Sequence, residues 1–393
     1  MNDVYLLLLA SAWAINFVSG WVFGSVTESA AGLEVPDSLG KWWMIYNKPT
    51  AIDLFCGSGA VTEGLKQAGF SVLAGVDCDS VACQTFRLNH PEVHLEEKDI
   101  REVVPAELRK SIPHSLNIDL MVVCAPCQPF SSHNRKKSEE DPRIQLVLDS
   151  LRFAAEFLPS CILYENVRGI ATIGPLAELR VGLEELGYTL SSPHYVDAAD
   201  LGVPQRRERC VLIASRLPSL AEGFSGEAIR QPKRTVRDAI SHLPPLCAGQ
   251  HDKNDPMHFA RQHRPITLNR LKHIPKDGGS RDSLPSRLVL DCHVGRDGDF
   301  PDVLGRLAWD QVAPTLTTGC TDVTKGRYAH PEQDRAITLR EAAALQTFPA
   351  AYRFYGNHTQ IAKQIGNAVP VTMAERIARY LLGQLRQIGR AHV

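Results

Sequence analysis

The sequence predicts a doubly wound α/β domain, a largely parallel sheet covered by helices, with a smaller domain inserted into it. Three observations point there. After Pro49, short β-rich apolar runs alternate with longer helical stretches, the pattern of strand–helix–strand units. Over 216–328 Pro, Gly, His and Arg become frequent and no strongly periodic helix appears, which predicts an irregular, partly β insert. Helical spacing resumes at 338–347 and 371–385, so the chain returns to the α/β body.

Strands are expected at 51–55, 71–76, 119–123, 161–164 and 210–214, and helices at 61–69, 144–157 and 176–186. This divides the chain into a first segment of the main domain over 44–215, the insert over 216–328, and a return over 329–387. Residues 1–43 do not resemble the rest. Positions 4–26 form a run of 23 uncharged, mostly apolar residues, long enough to span a bilayer. Asn16 and several Ser and Gly dilute it, and Asp3 without Lys or Arg makes a poor secretory signal. A membrane anchor and a buried or disordered appendage are two readings. The expected one is a start read upstream of Met44, which lies just before the first strand. Residues 388–393 read as an artefactual tail.

The 393 residues are 44% hydrophobic and 22% charged with a formal charge of −1, an ordinary globular composition that excludes a uniformly basic coat. The average hides an asymmetry. Residues 201–287 hold 16 Lys or Arg against 8 Asp or Glu, about +8 on this stretch against about −9 elsewhere, which suits one basic face on an acidic body. Ten cysteines without regular spacing exclude a small secreted disulfide scaffold and predict reduced thiols in the cytoplasm. Cys124 and Cys127 form a lone Cys-x-x-Cys, and no second pair completes a zinc site. No metal is expected.

The turn Asp53, Leu54, Phe55, Cys56, Gly57, Ser58, Gly59 follows a strand and opens a helix, where open α/β sheets bind nucleotide-like ligands. Asp77, 24 residues after Asp53, stands at the next strand end beside Cys78, placed to accept ribose hydroxyls. Asp99, followed by Ile100, stands within reach of an adenine amino group. The plain alternative for each Asp is a turn or helix cap. The fourth strand ends in Ala125, Pro126, Cys127, Gln128, Pro129, Phe130, Ser131, and a cysteine between prolines at a strand's carboxyl end suits an exposed but fixed nucleophile. The fifth ends in Glu165, Asn166, Val167, and adjacent parallel strands open on one crevice.

Taken in order, these runs resemble the DNA cytosine-5 methyltransferase family of the bacterial restriction–modification type, over nearly all of 51–385. Phe55, Gly57 and Gly59 resemble its cofactor motif, Pro126, Cys127, Gln128 its nucleophile motif, and Glu165, Asn166, Val167 its third signature. Gln205, Arg206, Arg207, Glu208, Arg209 match a Gln-x-Arg-x-Arg element supporting the target base. Arg340 and Glu341, with Leu345, Gln346, Thr347, Phe348, Pro349, resemble the motif bracing the recognition domain. Gln364, Ile365, Gly366, Asn367, Ala368, Val369, Pro370 resemble the last motif, which completes the cofactor pocket. Ala60 departs from a common third glycine, and Ala344 from an arginine.

The resemblance implies a Rossmann-like methyltransferase domain using S-adenosylmethionine, with a target-recognition insert. It implies Cys127 as the nucleophile at cytosine carbon 6. Glu165, protonated by burial beside the base, would donate to ring nitrogen 3, and Arg207 or Arg209 would favour the thiolate. The cofactor would lie against Asp53, Phe55, Gly57, Ser58, Gly59, Asp77, Cys78, Asp99, Ile100, Pro126, Asn367 and Ala368. Double-stranded DNA with a flipped base is the implied substrate, and Ser131, Gln205, Arg264, Arg270, Arg281 and Arg287 are candidate DNA contacts. A monomer without an obligate protein partner is expected, with a cognate restriction endonuclease as functional counterpart. The related branch that methylates transfer RNA carries a Cys-Phe-Thr element and a minimal insert, whereas this insert has about 110 residues. A catalytically silent DNA-binding module is opposed by intact Cys127, Glu165, Arg207 and Arg209. A nicotinamide oxidoreductase would call for a fuller Gly-x-Gly-x-x-Gly turn.

Overall fold

A computed structural model describes residues 48–113, 116–126, 142–172, 174–293 and 301–391. The chain divides into Met1–Asn47, outside the described residues, and the unit Lys48–Val393. The apolar run 4–26 thus lies outside the described residues, among which no helix is long and apolar enough to cross a membrane.

One eight-stranded sheet organises the described residues. Strands β1 (Thr50–Leu54), β2 (Ser71–Asp77), β3 (His94–Glu97), β4 (Leu120–Val123) and β5 (Cys161–Asn166) run parallel. Strand β8 (Glu208–Ser215) pairs antiparallel with β5, and the short β6 (Thr189–Leu190) and β7 (His194–Asp197) pair antiparallel with β8. Spatial order is β3-β2-β1-β4-β5-β8-β6. The chain therefore builds outward from β1 to β3, then crosses to β4 on the other side of β1. The carboxyl ends of β1 and β4 flank that reversal, where doubly wound folds place their ligands.

Every residue of β1, β4 and β5 is buried, so these strands read as apolar runs rather than alternating ones. Side-chain alternation divides β4 between two cores. Leu120 and Val122 join one cluster, Met121 and Val123 the other. On the first face, α1 (Ala60–Ala68) packs through Val61 and Leu65. Next in the chain are α2 (Ser80–Asn89) and α3 (Pro105–Lys110). On the second face lie α4 (Ser150–Phe157), through Phe153 and Phe157, and α5 (Gly174–Glu185), through Leu179 and Leu183.

The remaining helices are α6 (Pro218–Glu222), α7 (Val236–Ile240), α8 (Pro265–His273), α9 (Leu339–Leu345), α10 (His358–Asn367) and α11 (Val371–Ala391). The last packs Met373, Ile377 and Leu381 into the first face. All five expected strands and all five expected helical regions appear, the one expected at 144–157 as a 3-10 helix over Pro142–Val147 followed by α4, and α11 running beyond 385. The expectation of a partly β insert is corrected. Its described residues form short helices, turns and isolated bridges such as His251–Phe259 and Arg306–Ala329. Carbonyls that a ladder would satisfy are met by side chains instead. The fully buried Arg306 donates to the carbonyls of Leu271, Ile274, His330 and Gln333.

Candidate active site

At the carboxyl end of β1 the chain turns sharply. Phe55 adopts φ 62°, a conformation that costs a non-glycine residue roughly 1–3 kcal/mol and clusters at functional sites. Asp53 is fully buried, accepts from Thr62 Oγ1 at 2.7 Å, and leaves Oδ1 without a hydrogen bond. Burial, opposed by the Thr62 hydrogen bond and aided by Asp77, pushes its carboxyl up to about 7. Asp77 ends β2 and accepts from the backbone N–H of Gly57 and of Asp79, each at 2.8 Å. Burial raises its pKa despite those bonds. The expected ribose acceptor is therefore also the brace of the glycine turn.

Asp79, two residues further on, caps α2 by accepting from the N–H groups of Val81 and Ala82. It also binds Lys363 Nζ of α10 at 2.8 Å. Asp99 is held by Arg101, whose Nε and Nη2 donate at 2.9 and 2.6 Å, and these bonds bring its carboxyl down to about 2. Ile100 is buried and its carbonyl accepts from Arg152 at 2.7 Å. Cys78 is exposed, Ser58 buried, Asn367 exposed at the end of α10 and Ala368 half-buried.

Cys127 and Ser131 lie outside the described residues, which reach Pro126. What precedes Cys127 is fixed. Asn166 Nδ2 donates to the Ala125 carbonyl at 3.0 Å, tying the end of β5 to the segment two residues before Cys127. Glu165 is buried on the same strand end, its Oε1 2.9 Å from Arg209 Nε, yet that oxygen has no aligned hydrogen bond. The two are an ion pair whose acceptor remains open. Arg207, also buried, donates to the carbonyls of Leu316 and Gly366 at 3.1 Å each. It joins the last motif to the end of the insert.

Gln205 does not belong among the DNA contacts. It is fully buried, donates to Gln346 Oε1 at 3.0 Å and accepts from the Leu316 N–H at 2.8 Å, so both ends of its amide are engaged inside the protein. Of the arginine candidates, Arg264 and Arg287 are exposed, while Arg270 and Arg281 are half-buried. Arg270 Nε donates to the Leu288 carbonyl at 2.8 Å, leaving the rest of its guanidinium for other partners. Arg340 pairs with Asp255, and buried Glu341 takes two 2.7 Å bonds from Arg335. Sequence reasoning did not single out Thr62, His90, Lys363 or Tyr352. Thr62 was within reach, since a hydroxyl in the first helical turn after a glycine loop faces the preceding strand.

Residues 50–383 match the family model described as C-5 cytosine-specific DNA methylase. The type II methylase M.HgiDII of Herpetosiphon aurantiacus is 40% identical over 337 residues, covering 84% of this chain and 93% of that protein. The type II methyltransferase M.Eco47II of Escherichia coli is 32% identical over 355 residues, covering 88% and 81%. A prophage-encoded DNA modification methyltransferase structure from E. coli aligns with a TM-score of 0.67 at 25% identity, covering 86% of this chain and 99% of that one. A family match that takes in the whole sheet, from β1 through the return helices, leaves one conclusion: the chain belongs to the C-5 cytosine-specific DNA methylases and is a DNA cytosine-5 methyltransferase of the type II restriction–modification kind.

Proposed function

We propose that the protein methylates carbon 5 of a cytosine flipped out of a specific duplex site, with S-adenosylmethionine as donor and Cys127 as covalent nucleophile. The observation that carries this reading is the joint at the ends of β4 and β5. Asn166 holds the Ala125 carbonyl, and Glu165 beside it keeps an unaligned acceptor against Arg209.

When bound, the cofactor supplies an electrophilic methyl group on a cationic sulfur. The residues fit such a ligand, because Asp53 and Asp77 place two carboxyl groups at the turn and Asp53 Oδ1 is buried without a partner. The turn from Phe55 to Gly59 would hold it with Asp77, Cys78, Asp99, Ile100 and Pro126 on one side and Asn367 and Ala368 on the other. In the proposed reaction the Cys127 thiolate adds to carbon 6 and the ring's 5,6 π bond breaks. Glu165 must carry a proton to donate a hydrogen bond at nitrogen 3, and in the proposed reaction it takes up that proton before Cys127 adds to the base, so that negative charge is stabilised as it develops. Carbon 5, made electron-rich by the addition of Cys127, would then accept the methyl group that the cofactor supplies, the cofactor's sulfur leaving as a neutral thioether. Loss of the carbon 5 proton to a base re-forms the double bond and expels Cys127. Arg209 orients Glu165, and Arg207 seats the segments around the base.

Flipping costs a few kcal/mol, which phosphate contacts from the basic insert would offset. The type II names of the relatives support a cognate endonuclease reading the same site, and the protein acts as a monomer in this proposal. Bisulfite sequencing of DNA from expressing cells identifies the site. A duplex carrying 5-fluorocytosine there should form a denaturant-resistant adduct with the protein in the presence of S-adenosylmethionine, and Cys127→Ser should abolish it. An adduct mapping to Cys124, or methylation by Cys127→Ser, would overturn the assignment.

A further inference from the structure

We infer that His90 and Tyr352 are positioning residues that clamp the glycine turn from behind and thereby set cofactor affinity. The inference rests on the reading of that turn as the S-adenosylmethionine site. His90, at the end of α2, is fully buried, with Nε2 3.1 Å from the Gly59 carbonyl and 3.0 Å from Tyr352 Oη. The Tyr352 hydroxyl donates to the Ser58 carbonyl at 2.6 Å. On the other side of the ring, Lys66 Nζ stands 3.2 Å from Nδ1 and pairs with Glu92 at 2.6 Å.

Only one proton pattern satisfies all of these contacts. An ammonium group has no acceptor, so Nδ1 accepts from Lys66 and the imidazole proton sits on Nε2. That proton is shared by the Gly59 carbonyl and Tyr352 Oη, which leaves the tyrosine proton for Ser58. Two consecutive carbonyls of the turn are thus pinned. Because a peptide unit is planar and trans, fixing the Gly59 carbonyl also aims the Ala60 N–H to the opposite side, at the amino terminus of α1. That end of a helix is where a ligand carboxylate is favoured.

The clamp also explains a residue choice. Gly59 has φ 87°, and a Cβ there would lie 2.6 Å from the His90 ring and 2.9 Å from Tyr352 Oη. Neighbouring bonds strap the segment carrying Tyr352 along α2. Asn89 exchanges hydrogen bonds with the Arg353 backbone at 2.8 and 2.9 Å, and the Tyr355 N–H donates to Thr85 Oγ1 at 2.9 Å. The strap spans 264 residues of sequence between Asn89 and Arg353. The conformation of the cofactor turn is therefore set by a segment that follows the insert.

Tyr352→Phe tests the clamp, because the ring keeps its packing on Phe348 and Phe354 with centroids 4.9 and 5.4 Å away. Titration calorimetry of the full chain should show Kd for S-adenosylmethionine about tenfold higher, the size of one lost hydrogen bond. KM for the cofactor should rise with it, while kcat at saturation changes less than about twofold and DNA affinity holds. Lys66→Met, which removes the donor that fixes the imidazole proton, should weaken the cofactor about threefold, and it carries the test if Tyr352→Phe loses its fold. Wild-type affinity in both variants would overturn the clamp alone, as would an equal loss of cofactor affinity, kcat and DNA binding. A wild-type chain that does not bind the cofactor would overturn the site reading and the clamp with it.

Discussion

Asp53→Asn converts the most deeply buried carboxyl of the site into a group that does not titrate. In the unfolded chain Asp53 loses its proton near 3.8, and in the fold, where burial outweighs the Thr62 hydrogen bond and Asp77 adds to the rise, it holds it to about 7. Between those values the folded state binds more protons than the unfolded one, so stability falls as pH rises through the window and is lowest above about 7. The full window corresponds to about 4 kcal/mol, of which about 2 to 3 kcal/mol falls between pH 5 and pH 8. Asn keeps an oxygen for Thr62 Oγ1. Urea unfolding of both proteins without cofactor, at pH 5 and pH 8, should show the stability of Asp53→Asn relative to wild type rising by about 2 to 3 kcal/mol across that range. Parallel pH dependences would refute the reasoning, since they would mean that Asp53 is hydrated or ionised in the fold. A bound cation favours the ionised form, so cofactor binding near pH 7 should also release protons, measurable by calorimetry in buffers of differing ionisation enthalpy.

Gly366→Ala should destabilise the protein by about 2–3 kcal/mol in urea unfolding, because its Cβ would meet the Thr317 carbonyl carbon and oxygen at 2.3 and 2.4 Å. A loss under about 0.5 kcal/mol would show that this joint relaxes freely. Exchanging residues 262–304 for the corresponding segment of a relative should move the methylated site and leave cofactor affinity unchanged within about threefold. An unmoved site would place recognition elsewhere. Arg264→Ala and Arg287→Ala, both at exposed positions, should each reduce the salt slope of DNA binding by about one, and an unchanged slope would remove that residue from the phosphate contacts.

The sheet was legible because β1, β4 and β5 are buried on both faces and so appear as mostly apolar runs, interrupted by Asp53 in β1 and ending in Glu165 and Asn166 in β5. The short β3, β6 and β7 were not. His94–Glu97 is four residues with one apolar side chain, and Thr189–Leu190 is two, so tertiary pairing rather than pattern makes them strands. Glu165, Asn166 and Arg209 could be named from their motifs; the adjacent parallel strands β4 and β5 bring Asn166 to Ala125, whereas Arg209 meets Glu165 because β8 runs antiparallel to β5 and starts where β5 ends. Gln205 was misjudged for a reason of the same kind. A glutamine beside three arginines looks exposed in sequence, and only its partner Gln346, 141 residues away, shows that its amide is spent inside. His90 and Tyr352 carry no local signal at all, since each has its meaning only in the other's company.

The same long-range bonds argue for a narrower recognition segment than texture alone suggests. Composition places the insert at 216–328, yet residues 313–316 are bonded to 204–207. The Ala313 N–H donates to the Pro204 carbonyl at 3.0 Å, the Arg206 N–H to the Ala313 carbonyl at 2.8 Å, and Gln205 and Arg207 grip Leu316 from both sides. Val236, Ala239 and Ile240 of α7 share their cluster with Leu307 and Trp309 and with Leu339 and Leu345 of α9, whereas Leu271, Leu284, Leu288 and Leu304 belong to a separate one that Val323, Ala329 and Ala336 complete. A segment with its own apolar cluster can change its surface without moving the body, and one zipped to the Gln-x-Arg-x-Arg element cannot. An exchange confined to 262–304, outside the cluster that holds Leu307 and Trp309, should therefore keep the joint between β4 and β5 intact. One extended through 318 displaces the Leu316 backbone N–H and carbonyl on which Gln205 and Arg207 depend wherever the new backbone takes another path, leaving buried polar groups unsatisfied at about 1–3 kcal/mol each. The difference between those two chimaeras, read as methylation of any site at all, separates the part of the insert that chooses the sequence from the part that holds the site together.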